Sequence, residues 1–143
     1  MSQTATPLTR DEQIVLKRAA FGAVHLLSLA DTSLTGLSAA KENMAGARVL
    51  SGATGIIGHA LNTRDKVKLK GTAADVADEI LPALSTAVAT LDHKAPDQAE
   101  EFRKLVTTAV DQAARSTQKG DITPAQTEMI NKIVTALGTA SFG

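Results

Sequence analysis

Apolar residues recur every three or four positions through most of this chain, and that spacing predicts helices rather than strands. Short segments rich in glycine, proline, threonine and aspartate separate five such stretches. Because a helix with one apolar stripe must bury it against other helices, we expect an all-α fold, a compact bundle of about five helices. The predicted helices cover approximately residues 10–30, 36–61, 72–92, 97–118 and 124–138.

The ends of several predicted helices carry their own signals. In a capping box, a threonine at the helix start and an acidic residue three positions later each accept the other's amide hydrogen bond. A threonine followed by proline is a further start signal, and a glycine after the last apolar position is a stop signal. The starts are Thr9 with Glu12, Thr72 with Asp75, and Thr123 with Pro124, and the predicted stops are Gly120 and Gly138.

Pro82 lies inside the third predicted helix. Proline lacks an amide donor and clashes with the preceding turn, so it either kinks a helix or ends it. The sequence leaves two alternatives open, a kinked helix or two short helices that meet at Leu81.

The first predicted helix is apolar on almost every side in its second half. Between Ala19 and Ala30 only His25 and Ser28 are polar. A helix of this kind is either central in its own domain or buried at a subunit interface.

The second predicted helix carries glycines along one face. Arg48, Gly52, Gly55 and His59 are spaced i, i+4, i+7 and i+11, so a continuous helix would place them on one side. Glycine in a helix interior costs about 0.5–1 kcal/mol relative to alanine, so this face needs an explanation. We consider three: a close helix–helix crossing, a groove in which a ligand approaches the backbone, or a break in the helix between Ser51 and Gly55.

Composition limits the overall organisation. With 143 residues the chain can bury one core, so we predict a single domain over residues 9–143 after a flexible segment, 1–8. The start of the chain lacks the apolar run of a signal peptide, and the apolar stretches are too short or too interrupted to cross a bilayer. We therefore expect a soluble, cytoplasmic protein without a membrane contact.

Charge and cysteine content exclude several kinds of chemistry. Lysine plus arginine and aspartate plus glutamate each number 15, so no basic excess favours nucleic-acid binding, and we do not expect it. The chain has no cysteine, which excludes thiol catalysis, disulfides and cysteine-ligated metals. We predict no metal site and no cofactor, because none of the three histidines follows another ligand type at helical spacing.

Two charged features remain, and each has an ordinary explanation. Acidic residues cluster at predicted helix starts, where the helix dipole favours them. The segment from Arg64 to Lys70 holds four cations and one anion, and we interpret it as a solvated basic loop. Its Lys-Val-Lys-Leu-Lys alternation resembles a short strand, but no partner strand is predicted.

Three functional hypotheses follow. The first is a non-enzymatic interaction protein that self-associates, with a homodimer favoured. The second is a small-ligand binding protein, or an enzyme with few sequence markers, whose pocket lies between the first two helices. Its candidate residues are His25, Arg48, Gly52, Gly55 and His59. The third is a contact with nucleic acid or an acidic partner through residues 64–70. No catalytic residue is predicted, since no nucleophile elbow or phosphate-binding loop is present.

Overall fold

The fold is an all-α bundle, as predicted, with six helices rather than about five in the described part of the chain. The computed structural model describes residues 8–30, 36–64, 66–116 and 123–138. Within these residues no helix combines the length and apolar character that a membrane crossing requires. The helices are α1 (Arg10–Leu29), α2 (Gly36–Ser51), α3 (Gly55–Leu61), α4 (Ala73–Lys94), α5 (Pro96–Arg115) and α6 (Pro124–Leu137).

The predicted helix starts are confirmed by their hydrogen bonds. At α1 the Glu12 amide donates to Thr9 Oγ1 at 3.1 Å, and the Thr9 amide donates to Glu12 Oε1 at 2.8 Å. The same reciprocal pair joins Thr72 and Asp75 at α4, and Thr123 caps α6. Gly138 ends α6 in a left-handed conformation with φ +85°. The predicted stop at Gly120 and residues 1–7 of the predicted flexible segment lie outside the described residues.

The prediction of one continuous helix over residues 36–61 is wrong. The helix breaks after Ser51 and resumes at Gly55, whose φ of +68° is a conformation that side chains disfavour. A Cβ on Gly58 would lie 2.3 Å from the Ala53 carbonyl oxygen, so only glycine lets the chain fold back this closely. The third alternative, a break between Ser51 and Gly55, is therefore the one that the structure shows.

The question raised by Pro82 is resolved in favour of one helix. Helix α4 runs unbroken through Pro82, with Ile80 and Leu84 fully buried on either side of it. Pro82 itself is exposed. The backbone bond that it cannot make therefore lies on the solvent side of the helix, where water can hydrate the freed carbonyl.

Helix α1 is the central helix of the bundle. It contacts every one of the other five described helices, most extensively α4 and α2. Its apolar second half is buried within the chain itself, so that surface is used inside the domain. The fully buried side chains of α1 are Leu16, Ala19, Ala20, Ala23, Leu26 and Leu27.

Close helix approach does occur, but at glycines other than those on the predicted face. A Cβ on Gly46 of α2 would lie 2.5 Å from Val24 Cγ1 of α1. Gly22 of α1 meets Ile80 of α4 in the same way, at 2.3 Å from Cδ1. Because Gly46 and Gly22 have no side chain, α2 and α4 can pack close to the central helix.

A buried polar network joins α2 to the start of α6. Glu42 and Gln126 are both fully buried, and Gln126 Nε2 donates to Glu42 Oε2 at 2.8 Å. The other amide atom, Gln126 Oε1, accepts from the hydroxyl of Thr123 at 3.3 Å. Buried polar groups are tolerated when they are hydrogen-bonded, and this network ties the last helix to the bundle.

The crossing of α1 and α2 generates a stability prediction. We expect Gly46→Ala to lower the free energy of unfolding by about 1–3 kcal/mol, because the new methyl group collides with the rigid β-branched Val24. Urea unfolding measures this change. Gly52→Ala is the control, since a Cβ there meets nothing nearer than the Val49 carbonyl oxygen at 3.5 Å. Equal stability of the two variants would contradict the close crossing.

Candidate functional site

A cavity of about 370 Å³ lies between α1, α2 and the segment that precedes α4. We call it the His25 cavity. Helix α1 contributes Lys17, Phe21 and His25, which are spaced by four residues and therefore lie on one face. The other lining residues are Asn43 of α2, and Val67 and Leu69.

One wall of the cavity is an extended segment, residues 66–70, which we call the strap. Exposure alternates along it: the three lysines face solvent while Val67 and Leu69 are half-buried. This is the period of two expected of extended chain, and it occurs here without a partner strand. The segment predicted to be a solvated basic loop therefore forms one wall of the cavity. Its apolar residues line the cavity and its lysines face solvent.

Polar contacts from α1 hold the strap in place. Arg18 Nη2 donates to the carbonyl oxygen of Lys68 at 3.3 Å, and the same guanidinium pairs with Glu79 of α4. One residue earlier, Lys17 Nζ donates to the carbonyl oxygen of Thr63 at 2.5 Å. Two adjacent cations of α1 thus fix both the approach to the strap and its middle.

The α2 side of the cavity is fixed by a short hydrogen-bond chain. Asn43 Nδ2 donates to Ser28 Oγ at 3.0 Å, and Ser28 Oγ donates to the carbonyl oxygen of His25 at 2.6 Å. Ser28 is buried, so this chain lies away from water and orients the Asn43 amide at the cavity wall.

Burial sets the protonation state of His25. The side chain is half-buried, and desolvation lowers the pKa of the imidazole below its ordinary value of 6.5. The ring is therefore neutral at pH 7 and offers one hydrogen-bond donor and one acceptor. With Asn43, it supplies uncharged polar groups next to the apolar surfaces of Phe21 and Leu69.

Gly52 and Gly55, predicted to line a ligand groove, lie at the break between α2 and α3. They line a second cavity, of about 440 Å³, with Gln98 and Glu101 of α5. A Cβ on Gly55 would lie 3.6 Å from Gln98 Oε1. Their place in the chain reversal accounts for them structurally.

His59 and Arg48 do not join His25. His59 lines a third cavity, of about 350 Å³, together with Gln13 at the start of α1. Gln13 and His25 are twelve residues apart on one helix, which is about 18 Å. Arg48 is exposed in the last turn of α2. The predicted line of residues is divided because the helix that was to carry it is broken.

The cavity residues that sequence reasoning missed carried recognisable signals. Lys17 and Phe21 precede His25 at four-residue steps, which a search of the helix for one face around His25 would have found. The alternation of lysines with Val67 and Leu69 is evident in the sequence, but without a predicted partner strand it did not indicate that these two residues face a cavity. Asn43 had no such signal, because its position depends on how α2 crosses α1.

Metal ligands do not converge in the described residues. Within residues 8–30, 36–64, 66–116 and 123–138, no group of three or more histidine, aspartate or glutamate side chains is placed to hold a metal ion. The cavity lining likewise contains no carboxylate.

Comparisons of the chain with protein-family models, with curated proteins and with solved structures give no match. A functional assignment therefore depends on the chemistry of the cavity itself.

The burial of His25 generates a pH prediction. The unfolded imidazole, with a pKa near 6.5, binds a proton more readily than the folded one, so acidification favours unfolding. We expect the stabilising contribution of neutral His25 to be complete above pH 6.5 and to be lost as the pH falls through the lower pKa of the folded protein. Urea unfolding of wild type and His25→Gln across this range measures the effect.

The expected result is a shallower loss of stability on acidification in His25→Gln than in wild type. His59→Gln, at an exposed position, is the matched control and should follow wild type. An NMR titration that placed the imidazole pKa of His25 at or above 6.5 would contradict the prediction.

Proposed function

We propose that this protein is a non-enzymatic binding protein for a small organic molecule, and that the His25 cavity is its binding site. The observation that carries the proposal is the mixed lining of this cavity by side chains from three separate segments. Apolar walls with a few fixed polar groups and a titratable side chain of shifted pKa are typical of ligand sites. The volume of about 370 Å³ suits a small molecule rather than a peptide.

The chemistry of the lining favours binding over catalysis. A histidine base normally works with a nucleophile and with an orienting carboxylate within hydrogen-bond reach. Among the described residues, the side chains that line the cavity around His25 are an amide, an ammonium group and apolar groups. The nearby Ser28 hydroxyl is engaged with the carbonyl oxygen of His25 and with Asn43. His25 and Asn43 therefore have the role of hydrogen-bonding to a ligand, and Phe21 supplies a flat apolar contact.

Occupancy of the cavity can be tested with a neutral fluorescent dye, phenyl-naphthylamine. We expect it to bind and to gain fluorescence by contact with the apolar side chains of the cavity, Phe21, Val67 and Leu69. Val67→Trp should weaken this binding at least about tenfold, because the indole fills space on the cavity side of the strap. Fluorescence titration gives the dissociation constant, and circular dichroism verifies that the variant is folded.

The neighbouring position supplies the control. Lys66→Trp places the same indole on the exposed face of the strap and should leave dye binding unchanged. If Val67→Trp binds the dye as tightly as wild type, the proposed site is wrong.

Self-association, expected from the sequence, is a second candidate supported by one observation. Met44 of α2 is 62% exposed, the more exposed of the two large apolar side chains that the described residues present to solvent. Ala40, Arg48 and Ser51 share its exposed strip. A homodimer through this strip would cover Met44. The apolar half of α1 does not contribute to such a homodimer, because most of it is already buried inside the bundle.

Light scattering tests this second candidate. A homodimer through the strip predicts a dimer mass at micromolar concentration for wild type and a monomer mass for Met44→Glu, since the carboxylate would be buried without a partner. Thr86→Glu, at an exposed position of α4, serves as the control. A monomer mass for wild type rejects the dimer and leaves the ligand site untouched.

We also propose that the protein is cytoplasmic. The chain contains no cysteine, so it needs no oxidising compartment for its stability. Nucleic acid is not among the proposed partners, because the net charge is zero and no aromatic side chain interrupts the lysines of the strap.

A further inference from the structure

We propose that the ligand of the His25 cavity is an amphipathic organic anion, with an apolar body and one negatively charged group. This inference rests on the proposed function and adds the chemical class of the ligand. The observation behind it is the distribution of charge near the cavity: Lys17 lines it, exposed lysines alternate with the wall residues of the strap, and the described lining residues include no acid.

The strap supplies the first group of cations. Lys66, Lys68 and Lys70 are all exposed and alternate with Val67 and Leu69, which line the cavity. Along an extended chain the backbone rises about 3.3 Å per residue and successive side chains point to opposite faces, so each lysine adjoins a wall residue and faces solvent. The amphipathic pattern of the strap thus matches that of the ligand, with apolar contact inside and positive charge at the edge.

Helix α1 supplies the second group. Lys17 belongs to the lining, and Arg18 holds the strap through the carbonyl oxygen of Lys68. Glu79 of α4 pairs with Arg18 and offsets part of this charge. The whole protein has a net charge of zero, so the positive charge here is a local concentration rather than a general property.

A neutral His25 fits this class of ligand. Its ring adds hydrogen bonds without adding charge inside the cavity, while the full charges stay at the mouth, where water still solvates them. Local potentials of this kind raise the concentration of an oppositely charged ligand near the site and orient it on entry. The anionic group would then lie at the mouth and the apolar body against Phe21.

Two dyes that share one aromatic framework test the inference. Anilinonaphthalene sulfonate is anionic, and phenyl-naphthylamine is its neutral counterpart. Both are titrated into the full chain at low salt, for wild type and for the double variant Lys66→Glu/Lys68→Glu. The readout is the ratio of the two dissociation constants, which cancels any change in the apolar part of the cavity.

We expect the double variant to shift this ratio against the anion by about tenfold, since two residues each change from +1 to −1 near the ligand's charge. Lys104→Glu/Lys132→Glu, at exposed positions of α5 and α6, makes the same change in net charge and should leave the ratio unchanged. Added salt should reduce the wild-type preference for the anion.

The outcomes separate this inference from the proposed function. Suppose that Val67→Trp weakens binding of the neutral dye, but that the ratio of the two dissociation constants is the same in wild type and Lys66→Glu/Lys68→Glu. The anionic class of ligand is then wrong and the binding site stands. If neither dye responds to Val67→Trp, the site itself is wrong. An equal shift in the Lys104→Glu/Lys132→Glu control also overturns the inference, because net charge alone would then explain it.

Discussion

Helix α1 must be surrounded by other helices, and this requirement organises the bundle. Its second half has almost no polar side chain to face water, so its burial removes a large apolar surface from water. Each of the other five described helices contributes to this cover. The small side chains of α1 and the glycines at Gly22 and Gly46 let α4 and α2 approach its axis closely. Alanine and glycine thus take the place of the aromatic residues that the chain largely lacks.

The His25 cavity lies where this cover is incomplete. Along the face that contains Lys17, Phe21 and His25, the cavity is bounded by α2 and by the extended strap. An extended segment cannot fill space as a helix does, because only every second side chain points inward. The result is a space lined by apolar side chains together with His25, Asn43 and Lys17. The same features that complete the bundle therefore create the candidate site.

The candidate residues show which predictions from helical spacing depend on an unbroken helix. His25, the polar residue that interrupts the apolar half of the first helix, lines a cavity between the first two helices, and its role in binding stays a prediction. Arg48, Gly52, Gly55 and His59 were grouped only on the assumption of a continuous helix. That assumption fails at Ser51, where Gly55 and Gly58 allow a reversal instead. Glycine spacing in a sequence does not distinguish a close crossing from a break, since both need the same missing side chain.

By itself the sequence determined the fold class, most helix boundaries and the need to bury the apolar half of the first helix. These depend on local chemistry: the capping threonines, the prolines at helix starts and the spacing of apolar residues act within a few positions of the chain. Only the tertiary structure decided that Pro82 stays inside one helix, that Glu42 and Gln126 form a buried pair, and that the strap covers His25. Each of these depends on contacts between residues distant in sequence, which are fixed by how the helices pack and not by any local pattern.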